Sequence, residues 1–269
     1  QVNASNTLSN RGLIDGVDTQ VNTGTVNNIG TGRIYGDHLS IAAVNLTNNT
    51  ETIGGVTKAG TLAARDLLDL GISGTLTNRE HALIYSVGDM AIGGALNTNR
   101  QATGSATTLN NNSATIEVGR NLSLSSQTLN NTNEHFATFV EKVAGPISKK
   151  WTVGEWHVDH QTAAYDTTVN EYETKVDSSD PAQILVAGDL QIAGQNLIND
   201  KSKIIVGGLL TGDLGNLQNI QAIGEHRITE SGTVTLTTHH WEGGPFGRGN
   251  YWTEDTADYT PADVEIGRA

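Results

Sequence analysis

A short pattern returns along this chain in fixed register and limits what it can fold into. Each copy has a Gly, a few alternating apolar residues and, some residues later, a Leu-x-Asn. The copies run Ile34-Tyr35-Gly36-Asp37-His38-Leu39-Ser40-Ile41 with Leu46-Thr47-Asn48, then Tyr85-Ser86-Val87-Gly88-Asp89-Met90-Ala91-Ile92 with Leu96-Asn97. A third runs Ile116-Glu117-Val118-Gly119-Arg120-Asn121-Leu122-Ser123-Leu124 with Leu129-Asn130-Asn131. The clearest two begin at Ile184 and Ile204, continue through Gly188-Asp189-Leu190-Gln191-Ile192 and Gly207-Gly208-Leu209-Leu210, and reach Leu197-Ile198-Asn199 and Leu217-Gln218-Asn219. They lie about twenty residues apart, a solenoid spacing. Period-two alternation sends Leu39 and Ile41, or Leu190 and Ile192, to one side of a strand and Ser40 and Gln191 to solvent. Gly supplies backbone angles at the bends, and Asn tolerates left-handed turns next best. Short strands with Gly and Asn corners stack in parallel at about 4.8 Å. The expected fold is all-β, a parallel β-helix. A β-sandwich would instead show two-residue hairpin turns and no common register between copies.

Composition narrows the core. Eleven of the thirteen aromatic residues fall in two stretches, Phe136 to Tyr172 and Trp241 to Tyr259. The rest of the chain must therefore fill its interior with small and branched aliphatics, which suits a narrow stacked-strand core. A net charge of −13 argues against nucleic acid or an anionic membrane as the main partner. The absence of Cys excludes disulfides and thiolate metal sites. No signal peptide or apolar run of membrane-spanning length is present, and the opening Gln1-Val2-Asn3 reads like mid-repeat sequence, as in a fragment of a longer chain.

The Gly-Asp-Leu-x-Ile, Leu-x-Asn and Ile-x-Val-Gly-Gly-x-Leu elements resemble the filamentous-haemagglutinin repeats of large two-partner-secretion exoproteins. The strongest likeness lies from Pro181-Ala182-Gln183-Ile184 through Asn199-Asp200-Lys201-Ser202 to Gly207-Gly208. Within that family the chain looks like the contact-dependent growth inhibition proteins of the CdiA type, over about residues 5 to 131 and 181 to 235. The family's secretion domain and C-terminal toxin are not recognisable here, so the resemblance implies an internal stalk fragment. It implies a right-handed parallel β-helix (a solenoid), secreted and extracellular, forming a surface filament of a Gram-negative bacterium that delivers a toxin or adheres. The implied partners are an outer-membrane transporter for export and an outer-membrane protein or glycan on a target cell.

Four segments follow: repeats over 1–132, an insertion over 133–180, repeats over 181–235, and an aromatic, Gly-rich hairpin or the start of a next module over 236–269. In the insertion, Phe136, Phe139, Val140 and Val143 have helical spacing, and Pro146 would end a helix over Glu134 to Val143. Lys150 to Val158 and Ala163 to Thr174 read as two long strands, extruded together as a hairpin from one corner. Trp151, Trp156, Tyr165 and Tyr172 there, with Trp241, Phe246, Tyr251 and Trp252 near the C-terminus, are the candidate binding residues, because Trp and Tyr dominate contact surfaces. The alternative is that these rings seal the hairpin, since a lone two-stranded ribbon is unstable. A purely structural spacer with no binding of its own is the corresponding functional alternative.

Other chemical signals are weak. His157-x-Asp159-His160 and His239-His240 lack the spacing of a zinc site. Asp37, Asp89 and Asp189 recur after Gly but without the calcium-binding nonapeptide, and read as turn caps. Gly207-Gly208 has no phosphate-loop Lys, so no nucleotide or other cofactor is implied. A β-helical polysaccharide lyase or hydrolase needs clustered carboxylates in a groove. Here the acids concentrate in the insertion, so no enzyme and no catalytic residue is expected. At about twenty residues per rung, the chain outside the insertion makes about ten rungs.

Overall fold

The computed structural model describes residues 1–155, 161–244, 247–261 and 264–268, and every helix or strand among them is a strand. The chain is all-β, as its alternation requires. It forms two compact units, Gln1–Phe136 with Ser178–Ala222, and Ala137–Asp177 with Ile223–Ala269.

In the first unit the main sheet is built row upon row from parallel pairs. Val21 pairs with Ile41, Ile41 with Leu70, and the column continues through Ile92, Leu124 and Ile192. A second column runs Val26, Leu46, Leu76, Leu109, Leu129, Leu197 and Leu217. A third runs Ile14, Ile34, Leu62, Ile84, Ile116, Ile184 and Ile204. Between the end rows these residues are at most 4 % exposed. Uniform branched aliphatics allow each row to repeat the one below it, which a bulky ring would interrupt. In the last row the stack opens: Leu217, in the second column, is 60 % exposed, and Leu210, opposite the buried Leu190, is 56 % exposed.

The Leu-x-Asn asparagines form a column of their own inside this unit. Asn10, Asn28, Asn48, Asn78, Asn111, Asn131, Asn199 and Asn219 stand in register, one per row. Each Nδ2 donates to the Oδ1 of the next, in seven successive bonds of 2.7–2.9 Å. Those amides also donate to the corner backbone: Asn78 Nδ2 to the Ala82 and Thr115 carbonyls, Asn111 Nδ2 to those of Ala114 and Gln183. From Asn28 to Asn131 the column is wholly buried. Gly60 sits against it where a Cβ would lie 2.5 Å from both Asn28 O and Asn48 Oδ1, so no side chain fits.

The Gly-Asp turns do cap. Asp89 Oδ1 accepts from Asn121 N at 3.0 Å, and Asp189 Oδ1 accepts from Leu209 N at 2.8 Å, each tying one row to the next. Asp37 instead pairs with Arg65.

Several expectations need correction. Among the described residues eight rows form rather than about ten, because Ile223–Ala269 belongs to the second unit, and the hairpin Asn45–Ile53 with Val56–Ala59 and the excursion around Ala95–Leu96 and Ala102–Thr103 take further residues out of the stack. One row, Thr61–Ile72, carries Ala64-Arg65-Asp66 where a Gly was expected, and a register irregularity opposite Gly36 and His38 accommodates it. Ser40 does not face solvent. It is wholly buried, in a region where Ala95–Leu96 packs against both Arg33–Ala43 and Thr61–Ile72, and where the excursion is tied down by Ala102 N donating to Asp69 Oδ1 at 2.8 Å.

No helix forms over Glu134 to Val143; a strand, Ala137–Glu155, takes its place. Phe139, Val140 and Val143 are 47 %, 50 % and 40 % exposed, so their helical spacing served no buried face. Pro146 is tolerated because this strand lies at the edge of its sheet, where a missing N–H breaks no ladder. The domain boundaries also shift. The last strand of the main sheet ends at Ile220, and Glu225–Gly244 runs unbroken through the expected 235/236 boundary.

The column sets a clear mutational expectation. Asn111→Ala removes one amide and strands the Asn131 Oδ1 and the Gln183 carbonyl, so the urea midpoint should fall by the equivalent of about 3 kcal/mol. Gln191→Ala, on the exposed side of its row, should stay within about 0.5 kcal/mol of the parent.

Candidate functional site

Ten of the eleven clustered aromatics belong to the second unit, Phe136 being the exception. Its sheet runs in the order Ala137–Glu155, Gln161–Ser178, Glu225–Gly244, Gly247–Tyr259, with Val264–Arg268 also against Glu225–Gly244. The expected hairpin is therefore not alone. Gln161 to Glu173 pair antiparallel with Thr238 to His226, supplying the third strand that an isolated ribbon lacks.

Paired residues of an antiparallel sheet share a face, so the register sorts the candidates. Tyr165 pairs with Val234, and Val234 with Ala257; His240 pairs with Tyr251, an even number of residues from Val234. Tyr165, Tyr251 and Tyr259 thus lie on one face. Tyr172 pairs with Arg227, and His239 with Trp252, which places Tyr172 and Trp252 on the other. The candidates are split between two faces and do not form one patch.

On the first face, Trp151 stacks on Tyr165 with centroids 4.6 Å apart and planes at 4°, and Tyr259 meets Tyr165 edge-on at 5.0 Å. Gly232 lets the adjoining strand approach closely on this face. It stands between Thr167 and Tyr259 in the ladder, and a Cβ there would lie 2.1 Å from Asp166 O. Thr167, 1 % exposed, donates to Glu230 Oε1 at 2.5 Å, and Val169 is 7 % exposed. This trio with its neighbours is a small core of the sheet. Trp151 and Tyr165 therefore serve the sealing role weighed against binding, and Tyr172 lies under the Arg227 guanidinium at 5.2 Å.

The other described candidates are freer. Tyr251 and Trp252 are 47 % and 59 % exposed. Each rests on a histidine of the adjoining strand, Tyr251 stacked on His240 at 4.7 Å and Trp252 tilted on His239 at 4.2 Å. His240 Nε2 also reaches Thr253 Oγ1 at 3.0 Å. These histidines act as ring partners. They hold two large rings in place with one side of each open, an arrangement suited to contact by stacking and apolar burial. Trp156 and Phe246 lie outside the described residues, as do His157, Asp159 and His160, and of Trp241 only the backbone, paired with Asn250, is described. Sequence reasoning missed Tyr259 and the two histidine platforms, whose partners across strands only the register reveals.

A Ser-His-Asp grouping lies in the first unit. His38 Nε2 is 3.0 Å from Asp69 Oδ2, and Ser40 pairs with Asp69 across the ladder. Ser40 Oγ has no hydrogen-bond partner and no exposure, whereas a nucleophile needs both its base and its substrate. Asp69, 1 % exposed, is held by His38 and the Ala102 N–H, so the grouping clamps the excursion. Among the described residues no three His, Asp or Glu side chains are grouped to hold a metal ion.

No family model, curated protein or solved structure matches this chain.

One histidine is tuned by its setting. His135 Nε2 contacts Glu80 Oε2 at 2.9 Å, and that hydrogen bond, with the carboxylate's charge, raises its pKa above the ordinary value. A raised folded-state pKa means the pair stabilises the fold fully below about pH 6.5 and loses that effect as pH rises through the raised value. An NMR titration should place His135 above an ordinary histidine, and Glu80→Gln should return it toward that value.

Proposed function

We propose that the first unit is a right-handed parallel β-helix, a segment of the extracellular filament of a haemagglutinin or CdiA-type exoprotein, and that the second unit supplies a surface for contact with a neighbouring cell. The parallel rows, the one-per-row asparagine column and the repeats they arise from support the first part. The observation that carries the second is Trp252, 59 % exposed and held on His239, on the face away from the Trp151, Tyr165 and Tyr259 cluster; Tyr251 on His240 is a separate open ring on the opposite face. Large rings fixed in place and left open provide contact area at low entropic cost. The partner is an outer-membrane protein or surface glycan of the target cell, and export uses an outer-membrane transporter.

A spacer with no binding of its own is the competing reading, favoured by the internal packing of Trp151, Tyr165 and Tyr259. Labelled protein added to intact Gram-negative cells separates the two. Saturable, protease-sensitive binding that drops at least about tenfold in a Tyr251→Ala/Trp252→Ala variant of unchanged melting temperature supports the contact surface; a tenfold loss corresponds to about 1.4 kcal/mol, within the reach of two aromatic anchors. No binding by the folded parent supports the spacer.

A further inference from the structure

Eleven of thirteen Phe, Trp and Tyr residues lie in two stretches, and the two left over, Tyr35 and Tyr85, are the only residues of these types in the rows. The ladder brings them into one column. Tyr35 pairs with Ala63, and Ala63 with Tyr85. Their neighbours Ile34, Leu62 and Ile84 are wholly buried, so by alternation this column faces outward. Ala63 leaves a slot between two partly exposed rings, a concavity of about 230 Å³ that Arg65 and Val87 also line. In a stack that otherwise excludes aromatics, two rings flanking the smallest side chain call for an explanation that packing does not give.

We propose that the slot between Tyr35 and Tyr85 binds a single neutral hexopyranose ring. Rows about 4.8 Å apart set the two tyrosines about 9.6 Å apart at their bases. A planar ring in van der Waals contact with both would need only about 7–8 Å. A pyranose chair, puckered and bearing hydrogens on both sides, is thicker and makes up the difference, and its C–H groups suit the negative faces of the rings. The volume is below that of a site for drug-sized ligands, which favours one ring over a longer chain segment.

Arg65 sets the polarity of the site. Its Nη2 donates to both oxygens of Asp15 at 2.9 and 2.8 Å, and its Nη1 to Asp37 Oδ1 at 3.1 Å. The guanidinium is thereby fixed, with its Nε–H directed at no acceptor among the described residues and available to a sugar hydroxyl. Two carboxylates against one cation leave the local charge negative, which disfavours uronic and sialic acids and selects a neutral sugar.

This site is independent of the contact surface at Tyr251 and Trp252, and its failure would leave that reading untouched. The test titrates the intact chain with the methyl glycosides of glucose, galactose, mannose and glucuronic acid, followed by saturation-transfer NMR. One neutral hexoside is expected to saturate in the millimolar range, at about 1–10 mM. Ala63→Tyr should weaken it at least about tenfold at unchanged or raised melting temperature, because a third ring fills the slot and continues the stack. Tyr85→Leu, which keeps apolar bulk but removes the ring, should give a similar loss and serves if Ala63→Tyr does not fold. No saturation by any neutral hexoside, binding undiminished in the folded variants, or glucuronide binding as tight as the best hexoside would each overturn the proposal.

Discussion

A column of buried side-chain amides runs through the first unit, and much of its architecture follows from satisfying them. A primary amide has two hydrogens and a carbonyl, and out of water each needs a partner. Here one hydrogen goes to the amide of the next row and the other to the backbone at the corner, while the carbonyl accepts from the preceding amide. The arrangement works only if every row places an Asn at the same point. One displaced row would leave donors and acceptors unpaired on both sides. The column therefore selects register, because a slip of two residues along a strand would keep aliphatics facing inward but leave its Asn unpaired.

The aliphatic columns contribute most of the buried area but little specificity, since Leu, Ile and Val substitute for one another from row to row. Rows carrying long excursions keep the same order. The chain leaves after Asn131 and returns at Gln183, and Leu129 still pairs with Leu197. Asn133 Oδ1 accepts from Asp180 N at 3.2 Å, closing the exit and return points on each other. The stack thus tolerates an insertion of about fifty residues, because a loop whose ends are already adjacent adds little closure cost to the rows around it.

The second unit solves a different problem. Its strands have few aliphatics, and long antiparallel pairing satisfies the backbone while rings supply the apolar area. Trp151, Tyr165 and Tyr259 pack on one another, while Phe139, Tyr251 and Trp252 remain exposed, the last two resting on histidines. Rings that complete a core and rings left open thus coexist in one sheet, and composition does not distinguish them.

The repeat strands at Ile34, Tyr85, Ile116, Ile184 and Ile204 were legible because alternation and a Gly or Asn corner are local properties, each dictated by residues two to four positions apart. Leu96-Asn97, however, is wrongly assigned to the second copy: Leu96 lies in the antiparallel excursion, and Leu109 and Asn111 take that place in the columns. So were the capping role of Asp89 and Asp189, and the two long strands of the insertion. The row at Thr61–Ile72 was not, since Arg65-Asp66 replaces its Gly and only pairing with Arg33–Ala43 identifies it. Nor was the burial of Ser40, which depends on an excursion more than fifty residues later in the chain. The strand over Ala137–Glu155 read as partly helical because spacing alone cannot tell a helical face from scattered apolar residues on an edge strand. For the candidate sites the division is the same. The sequence determined which residues are aromatic and that they cluster, whereas the tertiary structure decided which rings meet, which face each occupies, and that Tyr35 and Tyr85 flank a slot at Ala63. Those relations are set by register between strands distant in sequence, which no local pattern encodes.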